Sequence, residues 1–172
     1  MNIIEFMQSL PDFGMMSNNE LEILESAMVI RDVADGHVFI HEGKKGHDMH
    51  LLLAGKVNVT HQSAAEHGIH VLEELHPGDL FGLHTCITNN KSLETYTADG
   101  PVSTAALPQQ AFNMLYEADS PLKHHFQHVV AHQLARDYRT ILRVLRKVMF
   151  SGGEVETVKK LESLIWKYKK EG

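Results

Sequence analysis

The sequence predicts an α+β chain: an antiparallel β-roll or jelly roll (a double-stranded β-helix), flanked by N-terminal helices and followed by a long C-terminal helix. Three observations lead there. Apolar residues recur at helical spacing up to about Met28, at every second position from Val38 to about Leu107, and at helical spacing again from Gln109 onward. Turn residues break the alternating stretch at Asp35-Gly36, Glu42-Gly43, Ala54-Gly55 and Pro77-Gly78-Asp79, a spacing suited to short strands in a small barrel or roll. From Pro121 to Phe150 no breaker occurs, which leaves room for one long helix.

The elements follow in order. Ile3 to Leu10 is an apolar helix closed by Pro11, and Asp12-Phe13-Gly14 is a turn. Ser17-Asn18-Asn19-Glu20 reads as a capping box, with Ser17 accepting from the first turn and Glu20 reaching back; Leu21, Leu24 and Met28 continue the stripe. Val38 and Ile40 alternate, then Met49, Leu51 and Leu53 before Gly55, and Val57 and Val59 after it. A polar loop from Gln62 to Gly68 leads to Ile69 and Val71, the latter read as opposed to Leu72 across the sheet. Thr95 and Thr97, then Val102, Thr104 and Ala106, supply later strands. Gln109 to Glu117 is a short helix. Asp119-Ser120-Pro121 starts the long one, with Pro in the first turn where its missing N–H is harmless. Residues 1–150 thus form one sensor-sized domain, with the long helix at 121–150. Residues 151–172 form a separate C-terminal amphipathic helix, started after Ser151-Gly152-Gly153.

Bulk properties narrow the function classes. The 172 residues suffice for a real core. A net charge of −6 argues against broad attraction to nucleic acid. One cysteine permits no internal disulfide, and no apolar run reaches membrane-spanning length, so a cytoplasmic protein is expected. No paired-carboxylate motif, nucleophile elbow or Walker loop is present, and no enzymatic activity is expected.

The stretch Val71 to Cys86 carries the strongest local signal. A strand runs into Pro77-Gly78-Asp79, and Phe81-Gly82 leads at once into a helix start near Leu83. Such a corner gathers unpaired backbone N–H groups in one place, here beside His84. Leu10-Pro11-Asp12-Phe13, Glu20-Leu21, Gly36, Glu42-Gly43, Leu53-Ala54-Gly55-Lys56-Val57, Leu75, Gly78-Asp79-Leu80-Phe81-Gly82, Ala98, Phe112 and Pro121-Leu122 resemble, in order, the consensus of the cyclic-nucleotide-binding domain superfamily, the sensor domain of regulators like the cAMP receptor protein and FNR. The resemblance runs from about residue 5 to 150. It implies a phosphate-binding cassette beginning at Phe81-Gly82.

In family members that bind cAMP or cGMP, the residue after Phe-Gly is a Glu that holds the ribose 2′-hydroxyl, and an Arg further on pairs with the cyclic phosphate. Here Leu83 stands in the first place and Ser92 in the second, with Lys91 one position earlier. Ser92 cannot replace the planar, bidentate charge of an Arg. The resemblance therefore implies a degenerate cassette, in which Phe81, Gly82, Leu83, Lys91, Ser92 and Thr95 contact a cyclic nucleotide or related ligand. Phe126, Val130 and Leu134 of the long helix would form the lid.

The same corner also resembles that of the carbon-monoxide-sensing haem activators. Phe81-Gly82-Leu83-His84-Thr85 is similar to their Phe-Cys-Met-His-Ser, which implies haem b with His84 as an axial iron ligand. Gly82 departs from that pattern, since it stands where the group has an iron-ligating Cys. A third reading is a ligand-free scaffold that binds another protein.

On the long helix, Leu134, Tyr138, Ile141, Leu145 and Val148 step by four and three, a coiled-coil seam that predicts a homodimer. Arg136, Arg139, Arg143, Arg146 and Lys147 flank it as a solvated face. His124, His128 and His132 share one face, read as solvated rather than metal-binding. After Ser151 one helix fits but a winged helix-turn-helix does not, so specific DNA binding is not expected. The final helix, with Trp166 and Tyr168 among lysines, is a candidate surface for a protein partner.

Overall fold

A computed structural model describes residues 2–63 and 68–150. The predicted amphipathic helix over 154–170 lies outside the described residues. Helix α1 (Ile3–Ser9) starts where Asn2 Oδ1 accepts from the amides of Ile4 and Glu5, at 3.0 and 3.4 Å. Ile3 and Met7, four residues apart, form its buried face. A 3-10 turn at Pro11–Phe13 leads to α2 (Asn18–Ser26). The expected capping box is present: the Glu20 amide donates to Ser17 Oγ at 3.4 Å, and the Ser17 amide to Glu20 Oε2 at 2.8 Å.

The strands are β1 (Val29–Val33), β2 (Val38–Ile40), β3 (Asp48–Ser63), β4 (Gly68–Leu75), β5 (Leu80–Phe81) and β6 (Thr95–Pro108). Every pairing is antiparallel. The order is β1-β6-β3-β4, with β2 on β6 and β5 on β3, so the long strands β3 and β6 form the spine. Helices α3 (Leu83–Thr88), α4 (Gln109–Glu117) and α5 (Pro121–Phe150) complete the chain. The α+β class and the roll are as the sequence predicts.

Three details of the sheet differ from the sequence reading. The alternating runs either side of Ala54-Gly55 are one strand, β3. Register slips on both sides of Ala54 absorb the corner while pairing with β6 continues. Gly55 permits this with φ +86°, and a Cβ there would lie 2.4 Å from the Pro101 carbonyl oxygen. Likewise the runs from Thr95 and from Val102 are one strand, β6. Val71 and Leu72 do not oppose each other: a slip opposite Val59 and Thr60 leaves Leu72 without a register partner, and both side chains are exposed.

Two buried clusters result. The first joins the helices to one face of the sheet and includes Met7, Phe13, Leu21, Leu24, Leu51, Leu83, Cys86, Phe112, Phe126, Val129 and Val130. The second fills the roll, from Ile40, Leu52, Val57, Val59, Leu75, Phe81, Ala98 and Val102, with Phe39 and Tyr96 against it. α5 begins as predicted at Pro121, and the Lys123 amide donates to Ser120 Oγ at 3.3 Å.

The described residues fall into two compact units, one through Ala131 and the other from His132. In the first, His124 is exposed and His128 half-buried. In the second, His132 is exposed, as are Leu134, Tyr138 and Ile141 at 43, 61 and 57%. Leu145 is half-buried, and the Val148 side chain lies outside the described ones. Arg136, read as solvated, is half-buried and donates to Gln133 Oε1 at 2.5 Å. No described helix is long and apolar enough to cross a membrane.

Candidate functional site

The β5–α3 corner is built from local backbone requirements. The His76 amide donates to Asp79 Oδ2 at 2.8 Å and closes the Pro77-Gly78 turn. The Gly78 amide donates to the Leu52 carbonyl at 2.8 Å, and the Leu52 amide to that of Asp79 at 3.0 Å, so the turn is tied to β3. Gly82 then takes φ +80° as the residue before α3; a Cβ there would sit 2.4 Å from the Asp48 carbonyl oxygen. Thr85 Oγ1 donates back to the Gly82 carbonyl at 2.9 Å. Asn89, at φ 53°, ends the helix.

Gly82 divides the corner. Phe81 enters the roll, where its ring stacks on His50 at 4.7 Å and on Tyr96 at 5.4 Å, with Phe39 edge-on at 5.3 Å. Leu83 turns the other way, into the helical core with Cys86, Phe126 and Val130. That surrounding is apolar and would penalise a carboxylate at this position.

The loop after α3 alternates. Lys91 is exposed, Ser92 buried, Leu93 39% exposed, and Glu94 half-buried. The Ser92 backbone is tied to residues 43 and 44: the Gly43 amide donates to its carbonyl, and its own amide to the Lys44 carbonyl, both at 2.8 Å. Ser92 Oγ donates to the Glu94 carbonyl at 2.7 Å. Tyr96 Oη donates to Glu94 Oε2 at 3.5 Å, a long contact. Thr95 Oγ1 accepts from the Glu42 amide at 3.0 Å. Tyr96 thus links Glu94 to the Phe81 stack, while Lys91 pairs in register with Lys45, whose Nζ donates to Asn89 Oδ1 at 3.2 Å.

Electrostatics separate these groups. Burial pushes the Glu94 carboxyl above the usual carboxylate range, against the pull of His84, Tyr96 and His61, while Glu42 adds to the rise. Burial, then the charge of Arg31 and His37, pushes His50 down to about 3, so its imidazole is neutral in the stack; its Nδ1 lies 3.4 Å from Thr104 Oγ1. Burial, then Asp48, pushes the Cys86 thiol up to about 12, which makes it an inert filler.

Of the expected ligand set, Phe81 stacks on Tyr96, Ser92 is held by the Glu94 carbonyl, and Thr95 is held by the Glu42 amide. The structure puts Lys91 on the outer lip, and the Leu83, Phe126 and Val130 side chains in the helical core. Leu134 is exposed on the second unit. His84 is exposed on α3. Sequence reasoning passed over His50, Glu94 and Tyr96 as site residues.

Comparison with known proteins adds to this geometry. The family model described as cyclic nucleotide-binding domain matches residues 30–119, which include β5, the corner and the loop after α3. The chain belongs to the cyclic nucleotide-binding domain family. It is 30% identical over 113 residues to the cAMP-dependent protein kinase regulatory subunit of Dictyostelium discoideum, a match covering 64% of this chain and 35% of that protein. This cyclic nucleotide-binding domain thus corresponds to about a third of that relative's length. A cyclic nucleotide-binding domain from Methylobacillus flagellatus aligns with a TM-score of 0.74 and 25% identity, over 84% of this chain and 82% of that one. The catabolite activator protein of Thermus thermophilus shares the fold, with a TM-score of 0.65 and 21% identity over 79% and 63% of the two chains.

Proposed function

We propose that this domain is a ligand-sensing regulatory module that binds a cyclic nucleotide or a related small ligand at the β5–α3 corner, through a degenerate cassette. The backbone of Gly82 and Leu83, the ring of Phe81, and Ser92 and Thr95 would contact the ligand, with Lys91 reachable from the lip. The observation that carries the reading is the corner itself: a strand, a left-handed Gly82 and a short helix, in a chain whose family binds cyclic nucleotides there. The exposed stripe Leu134, Tyr138 and Ile141 supports a homodimer through α5, which gives ligand binding a route to a change in dimer geometry.

The haem reading draws less support, because His84 is exposed on α3 while Leu83, the intended apolar neighbour, faces the helical core. Calorimetric titration with cAMP, cGMP and a cyclic dinucleotide tests the main reading. Heat saturating at one ligand per chain, lost in a corner-disrupting variant, is the expected result. Silence with all of them would leave the protein-scaffold reading. A Soret band lost in His84→Ala would favour haem. Sedimentation of Tyr138→Glu against the parent tests the dimer.

A further inference from the structure

Away from the corner, a cleft of about 650 Å³ is lined by α2, the end of α4 and the start of α5, all within the unit that runs through Ala131. A volume of that order, apolar with a few polar groups, is what a small molecule occupies. The walls are aliphatic. Ile23 and Met114 line the cleft at 44 and 68% exposure, alongside Leu115 and Leu122, and its one ring is the His125 imidazole. Among these groups stands an ion pair, with His125 Nδ1 at 2.9 Å from Glu20 Oε1.

The hydrogen bonds around that pair select a head group. Glu20 Oε2 accepts twice from Ser17, from its amide and its hydroxyl, both at 2.8 Å. Among the described residues Oε1 accepts only from His125, which leaves it one further acceptor position. The Ser17 amide bond, against the penalty of burial, holds the Glu20 carboxyl below the usual carboxylate range, so the cleft contains a carboxylate. An anion has little to meet here. Ser17 and Glu20 already cap the α2 N-terminus, Pro121 has no N–H, and the Lys123 amide is engaged by Ser120.

We propose that this cleft is a second ligand site, separate from the β5–α3 corner, for an aliphatic primary amine. The ammonium donates to Glu20 Oε1, and the alkyl chain lies against Ile23, Met114 and Leu122. The site stands whether or not the corner binds a ligand.

The test is a calorimetric titration of the full chain with octylamine, octanol and octanoate, three probes with one alkyl chain and different head groups, below their aggregation limits. It is repeated on Glu20→Gln, which keeps the capping box but removes the charge, and on Ile23→Asn, at an exposed wall position. Cooperative thermal melting of each variant confirms that it is folded. The expected result is one octylamine per chain, bound at least ~10-fold more tightly than octanol or octanoate. Glu20→Gln should bring octylamine to within ~2-fold of octanol, and Ile23→Asn should weaken octylamine several-fold. The proposal is overturned if octanoate binds as tightly as octylamine, if folded Glu20→Gln keeps the parent's preference, or if octylamine gives no saturable heat.

Discussion

Phe81 and Leu83 are separated by a single glycine, yet they face different interiors. On the Phe81 side the roll holds polar and titratable groups among its aromatic rings: His50, Glu94 and Tyr96. On the Leu83 side the helical core is apolar, closed by Phe112, Phe126 and Val129. Buried polar groups are retained only where something satisfies them, as Tyr96 does for Glu94 and Thr104 for His50. The apolar side offers shape and stability alone. The contrast teaches that Leu83 and Ser92 answer to different surroundings: the first completes a core, and the second closes a loop through the Glu94 carbonyl.

Substitutions can break this division, in order of expected effect. Phe126→Ala removes a fully buried ring from the apolar side and should cost about 3–5 kcal/mol, read from urea denaturation midpoints. Gly82→Ala forces a Cβ against the Asp48 carbonyl at positive φ and should cost roughly 3 kcal/mol, while also disturbing the corner that both sides share.

The polar side should reveal itself through pH. His50, faced by Arg31, His37, Thr104 and the rings of Phe39 and Phe81, stays neutral when folded down to about pH 3, against an ordinary value of 6.5. The unfolded chain binds the extra proton between those values. Stability from this residue is therefore fully present above pH 6.5 and lost as pH falls toward 3, with a slope of up to ~1.4 kcal/mol per pH unit. His50→Phe should flatten that part of the stability profile, and an unchanged slope would mean that another group carries it. The smallest effect expected is at Cys86. With its thiol buried and pushed up to about 12, native protein at pH 8 should react with a thiol reagent only on the timescale of unfolding.

Much of the fold is legible in the sequence because its signals are local. The Ser17–Glu20 capping box, Pro121 at the helix start and the change of period near Val38 each act within a few residues. The Pro77–Gly82 corner is legible for the same reason, since turn chemistry demands those residue types. The continuity of β3 and β6 is not, because Gly55 marks a break unless the approaching Pro101 carbonyl is known. The direction of Leu83 is equally hidden. A left-handed Gly82 swings the next side chain into another layer, and no periodicity records that rotation. Glu94 reads as one more loop acid until Tyr96, stacked on Phe81, places it beside the roll interior.

The most direct test of the two-sided corner measures stability and ligand binding together on Leu83→Ala and Glu94→Gln, using cAMP and cGMP as probes. Leu83→Ala should lose about 2–5 kcal/mol of stability while the affinities of the folded fraction stay within ~2-fold of the parent. Glu94→Gln should melt like the parent yet shift the ratio between the two probes. The account is contradicted if Leu83→Ala abolishes binding at unchanged stability, or if Glu94→Gln unfolds the chain and leaves recognition as it was.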